Sequence, residues 1–188
     1  MRLATWNVNS IRARQERVLA WLDRSDCDVL AMQETKCKDE QFPFDAFTEA
    51  GYEVAHHGLS QWNGVAIASR VGLEDVRIGF DGMPGFHKDP EASQDPEARA
   101  ISAVCDGVRV HSLYVPNGRE LADPHYTYKL EWLARLRDHA AAEVAADPRA
   151  QVALVGDWNV APLDEDVWDM EVFAGKTHVS EPERQAFA

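Results

Sequence analysis

Three short apolar runs in this chain each give way to side chains that carry chemistry, and that recurrence limits the fold more than any composition figure. Val152 to Val155 is β-branched and apolar, the pattern of a buried strand, and Gly156 then lets the backbone leave the sheet at Asp157-Trp158-Asn159. Arg2 to Trp6 reads as a second strand, followed by Asn7-Val8-Asn9-Ser10, again a polar pair spaced by two. Cys27 to Gln33 is a third, and it ends in Glu34-Thr35-Lys36. Side chains two apart in an extended chain share a face, so extension continued through Trp158 predicts that Asp157 and Asn159 project together. A carboxylate binds a cation or takes a proton from water, and an amide donates to an anionic oxygen; together they suit hydrolysis of an anionic ester. Standing alone, a DxN at a strand end is an Asx turn, and a Glu after a strand is a surface residue. The weight lies in their recurrence.

The stretches between these runs alternate helical and extended patterns. Arg14 to Arg24 has Val18, Leu19, Trp21 and Leu22 among charges, the pattern of an amphipathic helix on a sheet. Pro43 to Ala50 reads as a short helix with Phe44 and Phe47 inward, closed by Gly51. Tyr52 to His56, Gly64 to Ser69 and Glu74 to Ile78 read as strands, and Gly79 to Ala98 as a solvated loop. Arg99 to Val104 and Val108 to Val115 form a hairpin across Asp106-Gly107. Tyr126 to Ala146 is the longest helical pattern, with Leu130, Leu133, Leu136, Ala140 and Val144 inward, ending before Asp147-Pro148. No repeat or linker interrupts it, so the expectation is one α/β domain over residues 1–188, with strands paired mainly antiparallel.

A length of 188 residues with 45% hydrophobic side chains suffices for an ordinary core. No run is apolar enough for a bilayer span and the chain opens on a strand pattern, so the expected location is the cytoplasm, with no membrane partner. Cys27, Cys37 and Cys105 are an odd set without metal-type pairing and read as buried thiols. A formal charge of −13 lacks the basic footprint of a nucleic-acid binder, although Arg12, Arg14, Arg17, Lys36 and Lys38 are positioned to line one face.

Five segments, TWNVNSIRAR at Thr5 to Arg14, LAMQETK at Leu30 to Lys36, NGVAI at Asn63 to Ile67, SLYVPNG at Ser112 to Gly118 and GDWNVAP at Gly156 to Pro162, stand in an order and spacing that resembles the exonuclease III family. These are the Mg2+-dependent apurinic/apyrimidinic endonucleases of the endonuclease/exonuclease/phosphatase superfamily. The resemblance implies a four-layered α/β sandwich, with two mixed, largely antiparallel sheets face to face, helices outside, and a site where strands end. It implies a Mg2+ site with Mn2+ as a substitute: Glu34 as principal ligand, Asn7 beside it, and Asp157 and Asn159 completing the set. It further implies that Asp157 activates the attacking water while Asn159 and Tyr114 contact the phosphate. Asn117 and Arg119 stand where the family's DNA-contacting loop lies, which an exposed polar turn would also explain. The implied partner is double-stranded DNA with abasic sites or 3′ ends.

The family's pattern continues past these segments to a late acidic residue and a Ser-Asp-His triplet, and none of His111, His125, His139 or His178 lies in such a context. The expectation is therefore an incomplete second sheet, Gln151 to Asp157 near an unpaired edge, a monomer when complete and self-association when not. Two classes of function remain open: a DNA repair hydrolase, with a related phosphoesterase as a lesser variant, or a catalytically silent remnant that binds metal, DNA or a partner.

Overall fold

The computed structural model describes residues Met1–Ala188. The chain forms two compact units. The first comprises Met1–Phe80, Glu97–Tyr114 and Val144–Asp157, and the second comprises Asp81–Pro96, Val115–Glu143 and Trp158–Ala188.

All eight strands lie in the first unit: β1 (Leu3–Asn7), β2 (Val29–Gln33), β3 (Glu53–His57), β4 (Val65–Ser69), β5 (Glu74–Ile78), β6 (Ala100–Cys105), β7 (Val108–Tyr114) and β8 (Gln151–Asp157). One sheet runs β1-β2-β4-β3 and the other β5-β6-β7-β8. Only β1 with β2 and β7 with β8 pair in parallel, so both sheets are mixed and mainly antiparallel, as expected. The facing surfaces of the two sheets share a core of Val29, Val65 and Ile67 against Ile101, Ala103 and Val110. On its other face the first sheet packs Leu30 and Met32 against α1 (Ile11–Ser25) and α2 (Phe44–Glu49), through Val18, Leu22 and Phe47. Burial of β2 on both faces accounts for its unbroken apolar run, and each large side chain removed from water there is worth about 1.5–3 kcal/mol.

Several sequence expectations are refined by packing. Helix α1 starts at Ile11 rather than Arg14, because Ile11 is a core residue and its N–H is already taken up by Thr35 O at 3.0 Å. Phe47 is buried but Phe44 is exposed. Asp106 and Gly107 take left-handed φ values of 48° and 77°, the hairpin turn that matches strand twist. Strand β8 is at the sheet edge, as expected for Gln151 to Asp157, and it is only partly buried, whereas its apolar run reads as a buried strand. The three cysteines are buried and unpaired as disulfides.

The second unit is built on α3 (Pro124–Ala146), which extends by its last residues into the first unit, with α4 (Met170–Phe173) and α5 (Glu181–Phe187). The buried side of α3 is set early in the helix, by His125, Tyr126, Tyr128, Lys129, Trp132, Leu133 and Leu136, whereas Val144 is exposed. The loop before β6 is not wholly solvated: Phe86 stacks on Tyr128 with ring centroids 5.0 Å apart. No helix is long and apolar enough to cross a membrane.

Candidate active site

Parallel pairing brings strand ends of like polarity together. β1 and β2 finish side by side with Asn7 opposite Gln33, and β7 and β8 finish with Tyr114 opposite Asp157. Gly156 is required at the second junction, since a Cβ there would lie 1.9 Å from Leu113 O. Gln33 itself is buried and spent on structure: its Nε2 donates to Ser112 Oγ at 3.0 Å and its Oε1 accepts from Thr5 Oγ1 at 3.2 Å. The next residue, Glu34, has φ 53°, a left-handed turn that takes its side chain out of the strand alternation.

Four of the candidate residues meet within the first unit. Asn7 Nδ2 donates to Glu34 Oε1 and to Asp157 Oδ2, each at 2.8 Å, so one amide group bridges two carboxylates. The Tyr114 hydroxyl hydrogen-bonds Glu34, and the Arg99 guanidinium lies 4.8 Å above the Tyr114 ring. Burial alone would raise the Glu34 carboxyl, but hydrogen bonds from Lys36, Asn7 and Tyr114 outweigh it and hold that carboxyl below its ordinary range. Burial, with the negative charges of Glu34 and Asp157, raises the Tyr114 hydroxyl far above its ordinary value, so it keeps its proton and remains a donor.

The donor set fits a hard divalent cation. Glu34 and Asp157 offer carboxylate oxygens, which Mg2+ and Mn2+ prefer, whereas Asn7 turns its NH2 and not its oxygen toward them, so it orients the two carboxylates and does not take the ligand role expected of it. The site already attracts a positive charge: the Lys36 ammonium is 2.7 Å from Glu34 Oε2, and it also donates to Asn9 Oδ1 at 2.6 Å. Asn7 Oδ1 accepts from Asn9 N at 3.0 Å, which fixes the amide so that its NH2 faces the two carboxylates. Lys36 is a site residue that the sequence offered only as one basic group among several.

Asn117, Arg119 and Asn159 belong to the second unit and form a cluster of their own. Strand β8 ends at Asp157, and Asn159 has φ 49°, so the two-residue alternation expected through Trp158 does not carry over. Asn159 Nδ2 donates to Val115 O at 2.9 Å, and its Oδ1 lies 3.1 Å from His178 Nε2 and 3.4 Å from Asn117 Nδ2. Behind them Lys129, fully buried, bonds the main-chain carbonyls of both Asn159 and Asn117 and pairs with the equally buried Glu183. Arg119 is exposed, its N–H taken by Asn117 Oδ1 at 3.1 Å, and it lines a cavity of about 580 Å³ with Asn117, Lys176, Thr177 and His178. His178, Lys129 and Glu183 were not found by sequence reasoning. No motif surrounds His178, and a helical lysine ordinarily signals a wet face.

Residues 4–182 match the Endonuclease/Exonuclease/phosphatase family. Over 172 residues the chain is 28% identical to exodeoxyribonuclease III of Haemophilus influenzae, covering 89% of this chain and 60% of that protein. It therefore spans about three fifths of the length of that curated relative. Among solved structures, a 3′ phosphatase, NExo, from Neisseria bound to product DNA hairpin is 36% identical with a TM-score of 0.89, covering 100% of this chain and 68% of that one. An AP endonuclease from Archaeoglobus fulgidus is 39% identical with a TM-score of 0.88 and the same coverage.

Proposed function

The chain belongs to the endonuclease/exonuclease/phosphatase family, in its exonuclease III branch, and on that footing we propose that it acts as a Mg2+-dependent DNA repair phosphodiesterase. The substrates proposed are the phosphodiester 5′ to an abasic site and the terminal nucleotides of 3′ ends in duplex DNA. One observation carries the reading: a single amide group, that of Asn7, bridges Glu34 and Asp157, giving two carboxylates distinct environments within one cluster. Glu34, tied by three hydrogen bonds and kept ionised, is suited to hold a cation. Asp157, held on one oxygen by Asn7, is the group assigned to orient the attacking water and take its proton.

The bound ion would neutralise the ester and stabilise the leaving 3′ oxygen. The chain's own groups do the rest. Water attacks phosphorus and gives a proton to Asp157, the bond from phosphorus to O3′ breaks, the leaving O3′ takes a proton from solvent, and the products are a 3′ hydroxyl and a 5′ phosphate. Tyr114, which keeps its proton, donates to the phosphate as negative charge grows. Asn117 and Arg119 are assigned to the DNA backbone. An acidic chain of charge −13 binds DNA through local groups only, and the basic residues Arg12, Arg14, Lys36 and Lys38 flank the first and second strand ends.

A second reading is favoured by the neighbour described as a 3′ phosphatase, 36% identical to this chain: the same groups would remove a 3′ phosphate. Three labelled duplexes separate the readings when incubated with Mg2+ and the protein. One carries an internal abasic site, one a recessed 3′ hydroxyl and one a 3′ phosphate. Incision 5′ to the abasic site and shortening from the 3′ hydroxyl support the phosphodiesterase, and conversion of the 3′ phosphate alone supports the phosphatase. DNA binding without any product would support the catalytically silent reading.

A further inference from the structure

The turn that presents Glu34 is conformationally costly, and what holds it lies in the interior behind it. Glu34 and Lys36 have φ values of 53° and 51°, in the left-handed region that residues with a Cβ disfavour. Thr35, between them, is completely buried and tied at three points. Its N–H donates to Gly64 O at 3.1 Å, its carbonyl accepts from Ile11 N at 3.0 Å, and its hydroxyl lies 2.8 Å from His56 Nε2. Gly64 allows this approach, because a Cβ there would meet Thr35 Oγ1 at 2.1 Å.

The chain of contacts continues. His56 Nδ1 lies 2.7 Å from Asp39 Oδ1, bent away from a linear hydrogen bond, and the same carboxylate oxygen accepts from Gly58 N at 2.8 Å. An anion beside Nδ1 keeps the ring proton there, which leaves Nε2 as the acceptor and makes Thr35 the donor. Phe42 packs on the ring, with centroids 4.5 Å apart, and the His56 side chain is fully buried.

We propose that Asp39, His56 and Thr35 form a positioning relay that locks the left-handed turn at Glu34 and so aims its carboxylate at the divalent cation. None of the three touches the cation. The inference rests on Glu34 being the principal ligand, and it adds that affinity depends on a hydroxyl one residue away that points into the core. Partners that orient a ligand in this way typically change metal affinity by about 10–100-fold when lost.

The test is calorimetric titration with Mn2+ of the wild-type chain and of Thr35→Val, Thr35→Ser, Asp39→Asn and Glu34→Gln, each with a thermal midpoint measured in the absence of metal. Thr35→Val keeps the shape and removes the hydroxyl, and it is expected to weaken Mn2+ binding by about 10-fold or more. Thr35→Ser restores the hydroxyl and is expected to restore affinity even if its midpoint stays low, which a purely structural role would not produce. Asp39 is half exposed, so Asp39→Asn folds and gives an intermediate weakening should Thr35→Val not fold. Wild-type affinity in Thr35→Val, or in Asp39→Asn where that variant must stand in, overturns the relay if Glu34→Gln has lost binding. Unchanged affinity in Glu34→Gln overturns the ligand assignment itself, and the relay with it.

Discussion

Asn7 and Asp157, 150 positions apart in sequence, are joined by a hydrogen bond of 2.8 Å, and the same Asn7 nitrogen bonds Glu34 at an equal distance. Two carboxylates that close together repel unless a donor or a cation separates them. Asn7→Ala removes the donor. Since a hydrogen bond to a charged group contributes about 1.5–3 kcal/mol, the variant is expected to lose about 2 kcal/mol at pH 7 and to regain part of it in millimolar Mn2+. Urea midpoints with and without Mn2+ check this, and an unchanged midpoint would mean that the bridge contributes nothing.

Lys129 and Glu183 are each fully buried and paired, and Lys129 donates to the carbonyls of Asn117 and Asn159. Glu183 is held below its ordinary range although burial pushes the other way, because Lys129 and Ser180 bond it. Removing one partner strands the other, so Lys129→Met is expected to cost about 3–5 kcal/mol. The double variant Lys129→Met with Glu183→Met leaves no stranded charge and is expected to recover much of that loss. A double variant no better than the single one would contradict the account.

His56 carries the clearest pH signature. Burial lowers it from 6.5 to about 4 against the opposing pull of Asp39. Between these values the unfolded chain binds a proton that the folded chain refuses, so this contribution is complete above pH 6.5 and is lost as pH falls toward 4. The difference corresponds to about 3 kcal/mol. His57, also lowered by burial, acts in the same direction. Thermal midpoints of wild type should fall through this window, and His56→Gln should show a shallower fall. Equal slopes would show that His56 titrates normally.

Much of the frame was legible because its signals are local. Apolar runs ending in Asn7, Glu34 and Asp157 mark strand ends, and Asp106-Gly107 marks a turn whichever strands it joins. What sequence could not show depends on partners far along the chain. Lys129 is buried only because Glu183, 54 positions away, neutralises it. His178 reaches Asn159 through a left-handed turn with φ 78° that no neighbouring motif announces. The expected pairing of Asp157 with Asn159 along one strand face assumed continued extension, and a left-handed Asn159 ends it. Phe44 fits the helical pattern equally well on either side, and packing places it outside.

The central claim is that the cluster joined by Asn7 is a cation-dependent centre for DNA hydrolysis in which Asp157 activates water. The most direct measurement is the single-turnover rate of Mg2+-dependent cleavage of a duplex with one abasic site, by the full-length protein and its Asp157→Asn variant, with DNA affinity measured alongside. The account predicts a rate at least about 100-fold lower in the variant, the typical effect of losing a general base, with affinity unchanged. Cleavage by Asp157→Asn at the wild-type rate would contradict it.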